Sequence, residues 1–238
     1  MKTPAVCLIF LLSVILFKGS HAEPYEYLQF VLQYARGSCV NVKKCIPPAS
    51  LPAKFTVHGI WPTNISKPEI ECKAAQKLHH FNKKLITPSL KTDLLQSWPS
   101  VMTDKDDMSF WEHEYNKHGS CTAPAITQTA YFKRAHKFWK EYDLYSILKQ
   151  KNIKPGQSRS YSLADFEAAV KSKIGTDTKP LILCKQDALT RGSTTTNFIL
   201  REIVICFDHQ GTNLVNCTRS TDCDQKQKTT KSSMIYYV

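Results

Sequence analysis

The chain has 238 residues, with 32 Lys and Arg against 20 Asp and Glu and a formal charge of +12. At 42% hydrophobic and 11% aromatic it carries ample apolar surface to offset chain entropy, which excludes disordered, collagen-like and low-complexity classes. The basic balance favours a polyanionic partner.

Residues 1–22 combine Lys2, an apolar run from Val6 to Phe17 and the small-x-small triplet Ser20-His21-Ala22, the pattern of a secretory signal peptide. The run is too short to span a bilayer, and no later stretch approaches the ~20 apolar residues of a membrane helix. The expected product is a secreted, extracellular protein with no membrane association, folded as one domain over residues 23–238. Taking 22 residues from 238 leaves 216, and loss of Lys2 and Lys18 leaves a charge of +10. A domain of this length buries a core unaided.

Tyr25–Tyr34 alternates, with Leu28, Phe30, Leu32 and Tyr34 on one face and Gln29 and Gln33 on the other, as in a half-buried strand. After a loop holding Pro47, Pro48 and Pro52, Phe55-Thr56-Val57-His58 reads as a second strand. Its alternation sends Phe55 and Val57 inward and His58 to the opposite face. Thr87-Pro88 caps a helix in which Leu90, Leu94 and Leu95 pack, ending at Trp98-Pro99. Tyr131, Ala135, Phe138 and Tyr142 predict one amphipathic helix from Thr127 to about Leu148. Ser162-x-x-Asp165 is a capping box, opening a helix with Leu163, Phe166 and Val170 that Gly175 stops. Leu181–Cys184 and Phe198–Phe207 are nearly continuous apolar runs, expected as central strands covered on both faces. The Lys/Gln/Thr-rich tail from Asp222 to Ser233 is expected to fray. The reading is α+β: a single domain with a central antiparallel sheet flanked by helices.

Nine cysteines occur, of which Cys7 belongs to the signal, leaving Cys39, Cys45, Cys72, Cys121, Cys184, Cys206, Cys217 and Cys223. An even number in an exported chain reads as four disulfides, although eight cysteines admit 105 pairings. No C-x-x-C pair exists, so the spacings do not suit a zinc site. Asn64-Ile65-Ser66 and Asn216-Cys217-Thr218 are glycosylation acceptors.

Two segments carry chemistry: His58-Gly59-Ile60-Trp61-Pro62, and the run from Phe110 to Cys121. On a helix advancing ~100° per residue, Glu114, Lys117, His118 and His113 share one face. Such a mixture often marks a solvated face, but Phe110, Trp111 and Tyr115 interleave the charges here, and a purely solvated face has no use for three large rings. Two imidazoles titrating near ~6.5 supply an acid and a base. RNA needs both, because its 2′-OH loses a proton while the departing 5′-oxygen gains one. A lysine beside them offsets charge on the phosphoryl oxygens, and exposed rings stack unpaired bases. His113 and His118 are five apart and lack the i, i+4 geometry of a helical zinc pair, so no metal and no cofactor is expected. No P-loop, dinucleotide fingerprint or G-x-S-x-G occurs.

Residues 55–62, FTVHGIWP, and 110–121, FWEHEYNKHGSC, resemble the two active-site segments of the T-two ribonuclease family, which includes fungal acid ribonucleases and plant S-ribonucleases. The likeness extends to YEYLQFVLQ, to Trp98-Pro99 and to the LILCK and LREIVICFD runs, so it covers essentially all of residues 23–238. The resemblance implies a secreted endoribonuclease that cleaves single-stranded RNA through a 2′,3′-cyclic phosphate, without metal and without cutting DNA. It implies His58 as general acid, His118 as general base, and Glu114 with Lys117 stabilising the transition state. It places His113 on the phosphate, Trp61 at one base, and Gln33, Phe110, Val101 and Met102 at the other. It also implies the pairings Cys39–Cys45, Cys72–Cys121, Cys184–Cys223 and Cys206–Cys217. Tyr34-Ala35, Thr63 and Tyr115 depart from the usual family residues, which leaves base preference open but removes no catalytic group.

Among plant members the sequence pI of about 9.2 resembles the basic pistil ribonucleases of self-incompatibility, whose partners are pollen F-box proteins. In those proteins the stretch matching Thr63–Ser89 carries the recognised surface. The alternatives are a scavenging or defence ribonuclease and a non-catalytic RNA-binding or storage protein on the same scaffold. Intact His58, Glu114, Lys117 and His118 speak against the last, since a binding-only protein has no use for an acid and a base.

Overall fold

Phe198–Asp208, the longest apolar run after the signal, forms the strand on which the rest of the sheet assembles. The computed structural model describes residues 25–66, 70, 72–156, 158–186, 197–223 and 234–238. The expected signal segment and residues 224–233 of the tail lie outside them. In chain order the elements are β1 (Tyr27–Gln33), α1 (Ala35–Ser38), β2 (Thr56–Thr63), α2 (Lys73–Leu78), α3 (Pro88–Ser97), α4 (Asp107–Lys117), α5 (Gln128–Glu141) and α6 (Leu144–Gln150). They continue with β3 (Ser160–Tyr161), α7 (Leu163–Ile174), β4 (Leu181–Gln186), β5 (Phe198–Asp208), β6 (Leu214–Val215) and β7 (Ile235–Tyr236). The sheet runs β2-β1-β5-β7-β3, and β4 and β6 pair with the other edge of β5. Every pairing is antiparallel except the two-residue parallel contact of β5 with β7. The α+β expectation holds, and the disulfides are Cys39–Cys45, Cys72–Cys121, Cys184–Cys223 and Cys206–Cys217.

One face of the sheet builds the main core. Phe30 and Leu32 of β1, Val57 and Ile60 of β2, and Leu200, Ile203 and Ile205 of β5 meet Trp98, Trp111, Phe132 and Phe166 from the helices and the residue just past α3. The other face is not solvated as the alternation of β1 suggests. All seven residues of β1 are buried, because Tyr27 and Val31 pack against Leu181, Leu183, Val204 and Cys217. The Cys206–Cys217 bridge folds the following segment over that face, where Tyr27 Oη and Thr218 Oγ1 share a hydrogen bond of 2.9 Å.

Two irregularities in the sheet place the polar residues. Val31 of β1 pairs with Gly59 but Leu32 pairs with Val57, so His58 is an extra residue at a bulge. In a regular strand His58 and Trp61, three apart, would point to opposite faces; the bulge resets the phase and puts both away from the main core. On the other side of β5, Leu183 pairs with Glu202 but Cys184 pairs with Leu200, leaving Arg201 extra. Leu200 and Ile203 both reach the main core, and Glu202 between them turns to the face that carries His58.

Three expectations are corrected. The helix foreseen from Thr127 to Leu148 is two, because Asp143 accepts hydrogen bonds from the Ser146 amide and hydroxyl and starts α6 afresh. The periodicity runs on across the break because both helices cover one core. Leu95 is 44% exposed, while Leu90 and Leu94 pack as foreseen. The tail does not fray from Asp222 onward: Asp222 accepts from the Cys184 amide, and Cys223 is bridged to Cys184. The capping box of Ser162 and Asp165 and the Thr87 cap are present.

β2 is an edge strand, and a core hydroxyl holds its outward groups. Tyr131 of α5 donates to the Ile60 carbonyl at 3.0 Å and accepts from the Ile60 amide at 3.3 Å, between His58 and Trp61. Tyr131→Phe leaves both backbone groups unpaired in a dry core, with an expected cost of about 1–3 kcal/mol, read from the urea midpoint of the variant against the parent.

Candidate functional site

α4 is oriented by its buried side. Asp106 caps its first turn by accepting from the Ser109 amide at 2.7 Å. Trp111 is fully buried and donates its ring N–H to the Trp98 carbonyl at 2.8 Å. With Trp111 and Tyr115 locked inward, Phe110, His113, Glu114 and Lys117 face the open side. The helix ends at Lys117, and His118 follows as its cap, its amide bonded to the Glu114 carbonyl at 2.9 Å. Gly119 lets the backbone turn against the core, since a Cβ there would lie 2.5 Å from the Tyr115 ring. The Cys72–Cys121 bridge pins the turn.

The bulged strand and α4 enclose a cavity of about 400 Å³, lined by His58, Trp61, His113, Glu114, Lys117 and His118, together with Gln29, Pro62, Thr63, Ile70 and Arg219. His58 stands between two carboxyl groups: Nδ1 is 2.5 Å from Glu202 Oε1, and Nε2 is 3.8 Å from Glu114 Oε1. The other oxygen of Glu114 accepts the Trp61 ring N–H at 3.0 Å. The Trp61 ring stacks on His118 with centroids 5.0 Å apart and meets the His58 ring edge-on, also at 5.0 Å. Gly59 makes this compact, because a Cβ there would collide with the Trp61 ring nitrogen and lie 2.7 Å from Glu114 Oε2.

The two imidazoles are driven apart in proton affinity. Burial presses His58 toward its neutral form, but the Glu202 hydrogen bond and the Glu114 and Glu202 charges outweigh it, and the net pKa is raised. His118 is also desolvated and has cations as neighbours, Lys117 first, then His58 and His113, which brings its pKa down to about 3. Around neutrality His58 is thus biased to carry a proton and His118 to lack one. His113 is lowered by burial and by Lys105. Glu202 is lowered overall: burial opposes ionisation, but the bond and charge of His58, with Arg201 and Arg219, prevail. An acid and a base thus face one cavity that also holds an ammonium.

Of the residues singled out in the sequence, the structure brings His58, Trp61, His113, Glu114, Lys117 and His118 to this cavity, with the Phe110 ring 6.0 Å from that of His58. Gln33 lies behind it, buried on β1 in register with Glu202 and Thr56, its Nε2 without a hydrogen-bond partner among the described residues. Val101 packs with Ala35 and Leu51, and Met102 bridges to Cys45; neither lines the cavity. Among the described residues no group of three or more His, Cys, Asp or Glu could hold a metal ion. Sequence reasoning missed Glu202, Gln29 and Arg219. Glu202 had a signal: it is the one acid within the apolar run Phe198–Phe207, and a buried charge needs a partner. Gln29 and Arg219 had none beyond their polarity.

Glu202→Gln keeps an acceptor for His58 Nδ1 and removes the charge. Since the charge raises the His58 pKa, the variant is expected to release its imidazole proton at lower pH than the parent, while His118 remains below the ordinary histidine value in both. Proton-detected titration of the labelled imidazoles reads both directly.

A model of the ribonuclease T2 family matches residues 25–217. Ribonuclease S-7 of Nicotiana alata is 31% identical over 227 residues, covering 94% of each chain. Ribonuclease 1 of Arabidopsis thaliana is 31% identical over 221 residues, covering 90% of each. Among solved structures, ribonuclease MC1 from bitter gourd seeds aligns with a TM-score of 0.73 at 26% identity, over 90% of this chain and all of that one. A variant of the same enzyme in complex with 5′-UMP aligns with a TM-score of 0.70 at 27% identity, over 84% and 96% of the two chains.

Proposed function

This chain belongs to the ribonuclease T2 family and is an endoribonuclease, and from that premise we propose that it cleaves single-stranded RNA by transesterification at the cavity between β2 and α4. The observation that carries the reading is the convergence of His58, His118 and Lys117 on one small cavity, with His58 biased toward the cation and His118 toward the neutral form.

In this mechanism His118 takes the proton of the 2′-OH as its oxygen bonds to phosphorus. His58 Nε2 gives a proton to the 5′-oxygen as the P–O5′ bond breaks, leaving a 2′,3′-cyclic phosphate. Glu202 holds Nδ1, so the opposite nitrogen faces the leaving group. Lys117 and His113 border the non-bridging oxygens, and Lys117 offsets the charge that grows there. A carboxyl group such as Glu114 does not itself stabilise an anionic transition state. This reading gives Glu114 the task of holding His58 and Trp61, which its two contacts support. The nucleophile is internal to the substrate, so no metal-bound water is required, and DNA binds through its phosphates without being cut.

The likeness to plant S-ribonucleases and the sequence pI of about 9.2 support the finer reading of a secreted pistil ribonuclease of self-incompatibility, with residues 1–22 removed on export and Asn64 and Asn216 as glycan acceptors. Pollen F-box proteins are then its partners. Within the expected recognition stretch, Ile65, Leu78 and Leu85 are apolar side chains at 64%, 81% and 43% exposure, which suits a protein-contact surface. Transcript confined to styles with many alleles diverging between Thr63 and Ser89 is the expected survey result. One invariant allele expressed in roots or leaves places the chain with the scavenging enzymes instead.

Incubating a short RNA with the protein and identifying the product termini tests the chemistry: a 2′,3′-cyclic phosphate is expected, with the same rate in EDTA and no cleavage of the matching DNA. His58→Ala and His118→Ala are each expected to lower kcat by about 10² to 10⁴, with unchanged circular dichroism. An acid works protonated and a base deprotonated. The kcat/KM profile against pH should therefore rise through the low pKa of His118, near 3, and fall only above the ordinary histidine value of ~6.5.

A further inference from the structure

α4 has a second concave side. Lys73 and Gln76 of α2, Lys105 ahead of α4, and Glu112 enclose a groove of about 540 Å³ next to the Cys72–Cys121 bridge. His113 and Lys117 line both this groove and the catalytic cavity, so the two are compartments of one cleft separated by that pair of side chains. They stand four residues apart, ~6 Å along the helix axis.

Lys105 carries charge that is uncommitted among the described residues. Three acids flank Lys105 in sequence, and each is engaged elsewhere. Asp104 pairs with Lys44 at 2.7 Å, Asp106 accepts from the Ser109 amide at 2.7 Å, and Asp107 accepts from the Ser100 amide at 2.6 Å. Lys105 forms no ion pair among the described residues, is exposed, and its field reaches His113 at the boundary with the cavity. Among the described residues its charged lining is Lys73, Lys105 and Lys117 with Glu112, beside the His113 imidazole. Among the described residues the one ring in the lining is the His113 imidazole at the ridge, so beyond it the groove offers a phosphate more than it offers a base.

We propose that this groove is a phosphate subsite for the RNA strand beyond the scissile dinucleotide, with Lys105 its principal cation. The inference rests on the ribonuclease reading for its ligand. A strand whose reacting phosphate lies between His58, Lys117 and His118 crosses the His113–Lys117 ridge and sets a neighbouring phosphate against Lys105. The gain is in substrate length: oligonucleotides bind better than dinucleotides through backbone contacts, without base selectivity.

The test uses single-stranded DNA, which lacks the attacking 2′-OH and therefore reports binding whether or not the protein cleaves. Fluorescence anisotropy of a labelled dinucleotide and a labelled tetranucleotide across salt concentrations compares the parent with Lys105→Ala. Expected are a loss of roughly three- to tenfold for the tetranucleotide, a salt slope smaller by about 0.7, and dinucleotide binding unchanged. Equal loss for both lengths, or no loss for either, overturns the subsite. On RNA, Lys105→Ala should keep dinucleoside kcat/KM within about twofold and lose the advantage of tetranucleotide over dinucleotide. Failure of the parent to cleave any RNA overturns the ribonuclease reading alone, because the DNA comparison still decides the groove.

Discussion

The 2.5 Å contact between His58 Nδ1 and Glu202 Oε1 is the interaction around which the cavity is organised. Glu202 is only 5% exposed, and an unpaired carboxylate at that depth costs several kcal/mol. Its partner must therefore be present, oriented and charged. The two bulges surround this one contact: the first keeps Trp61 on the same face as His58, and the second leaves Glu202 aimed at His58 between two core residues of β5. In a regular β2 that kept His58 outward, Trp61 would turn toward the main core and leave the cavity. The sheet is irregular where the chemistry is, and regular elsewhere.

From that contact the rest of the cavity follows by packing. His58 fixes one oxygen of Glu114 by charge, and the other oxygen holds the Trp61 indole, whose face covers His118. The chain Glu202–His58–Glu114–Trp61–His118 ties strand, bulge and helix end together within a few ångströms, and Gly59 is the backbone gap that lets it close. Tyr131 supports the same strand from below. A substitution that moves any member is felt at both imidazoles, so position and proton affinity are set by one network.

Legibility in the sequence followed the range of the interaction. The α4 face could be read because its residues lie within twelve positions and the helical period alone brings them together. The α+β class and the cysteine count were equally local in origin. Glu202 was not legible as a site residue, because its meaning depends on a side-chain contact across 144 residues and on a bulge that no alternation announces. The break before α6 escaped for a related reason: Asp143 resets the helix without disturbing the apolar stripe. β1 was read as half-buried because nothing in its own residues says that Cys217 will carry a segment across its polar face.

The arrangement also explains how the site returns to its starting state. Before reaction one proton sits on His58, with two carboxylates near it, while His118 is neutral beside Lys117. On the proposed assignment the first step empties His58 and loads His118. The new imidazolium then faces Lys117 with no carboxylate of its own among the described residues, and Glu202 and Glu114 are left beside a neutral ring. That state is electrostatically the poorer of the two, so the protein favours any event that moves the proton back. Opening of the cyclic phosphate by water is such an event, since His58 takes a proton from the water as His118 gives one to the 2′-oxygen. Exchange of the 5′-product for solvent restores the same balance. The carboxylates at His58 and the lysine at His118 thus lean in one direction through the whole cycle, making the protonated acid and the neutral base the resting state to which each turnover relaxes.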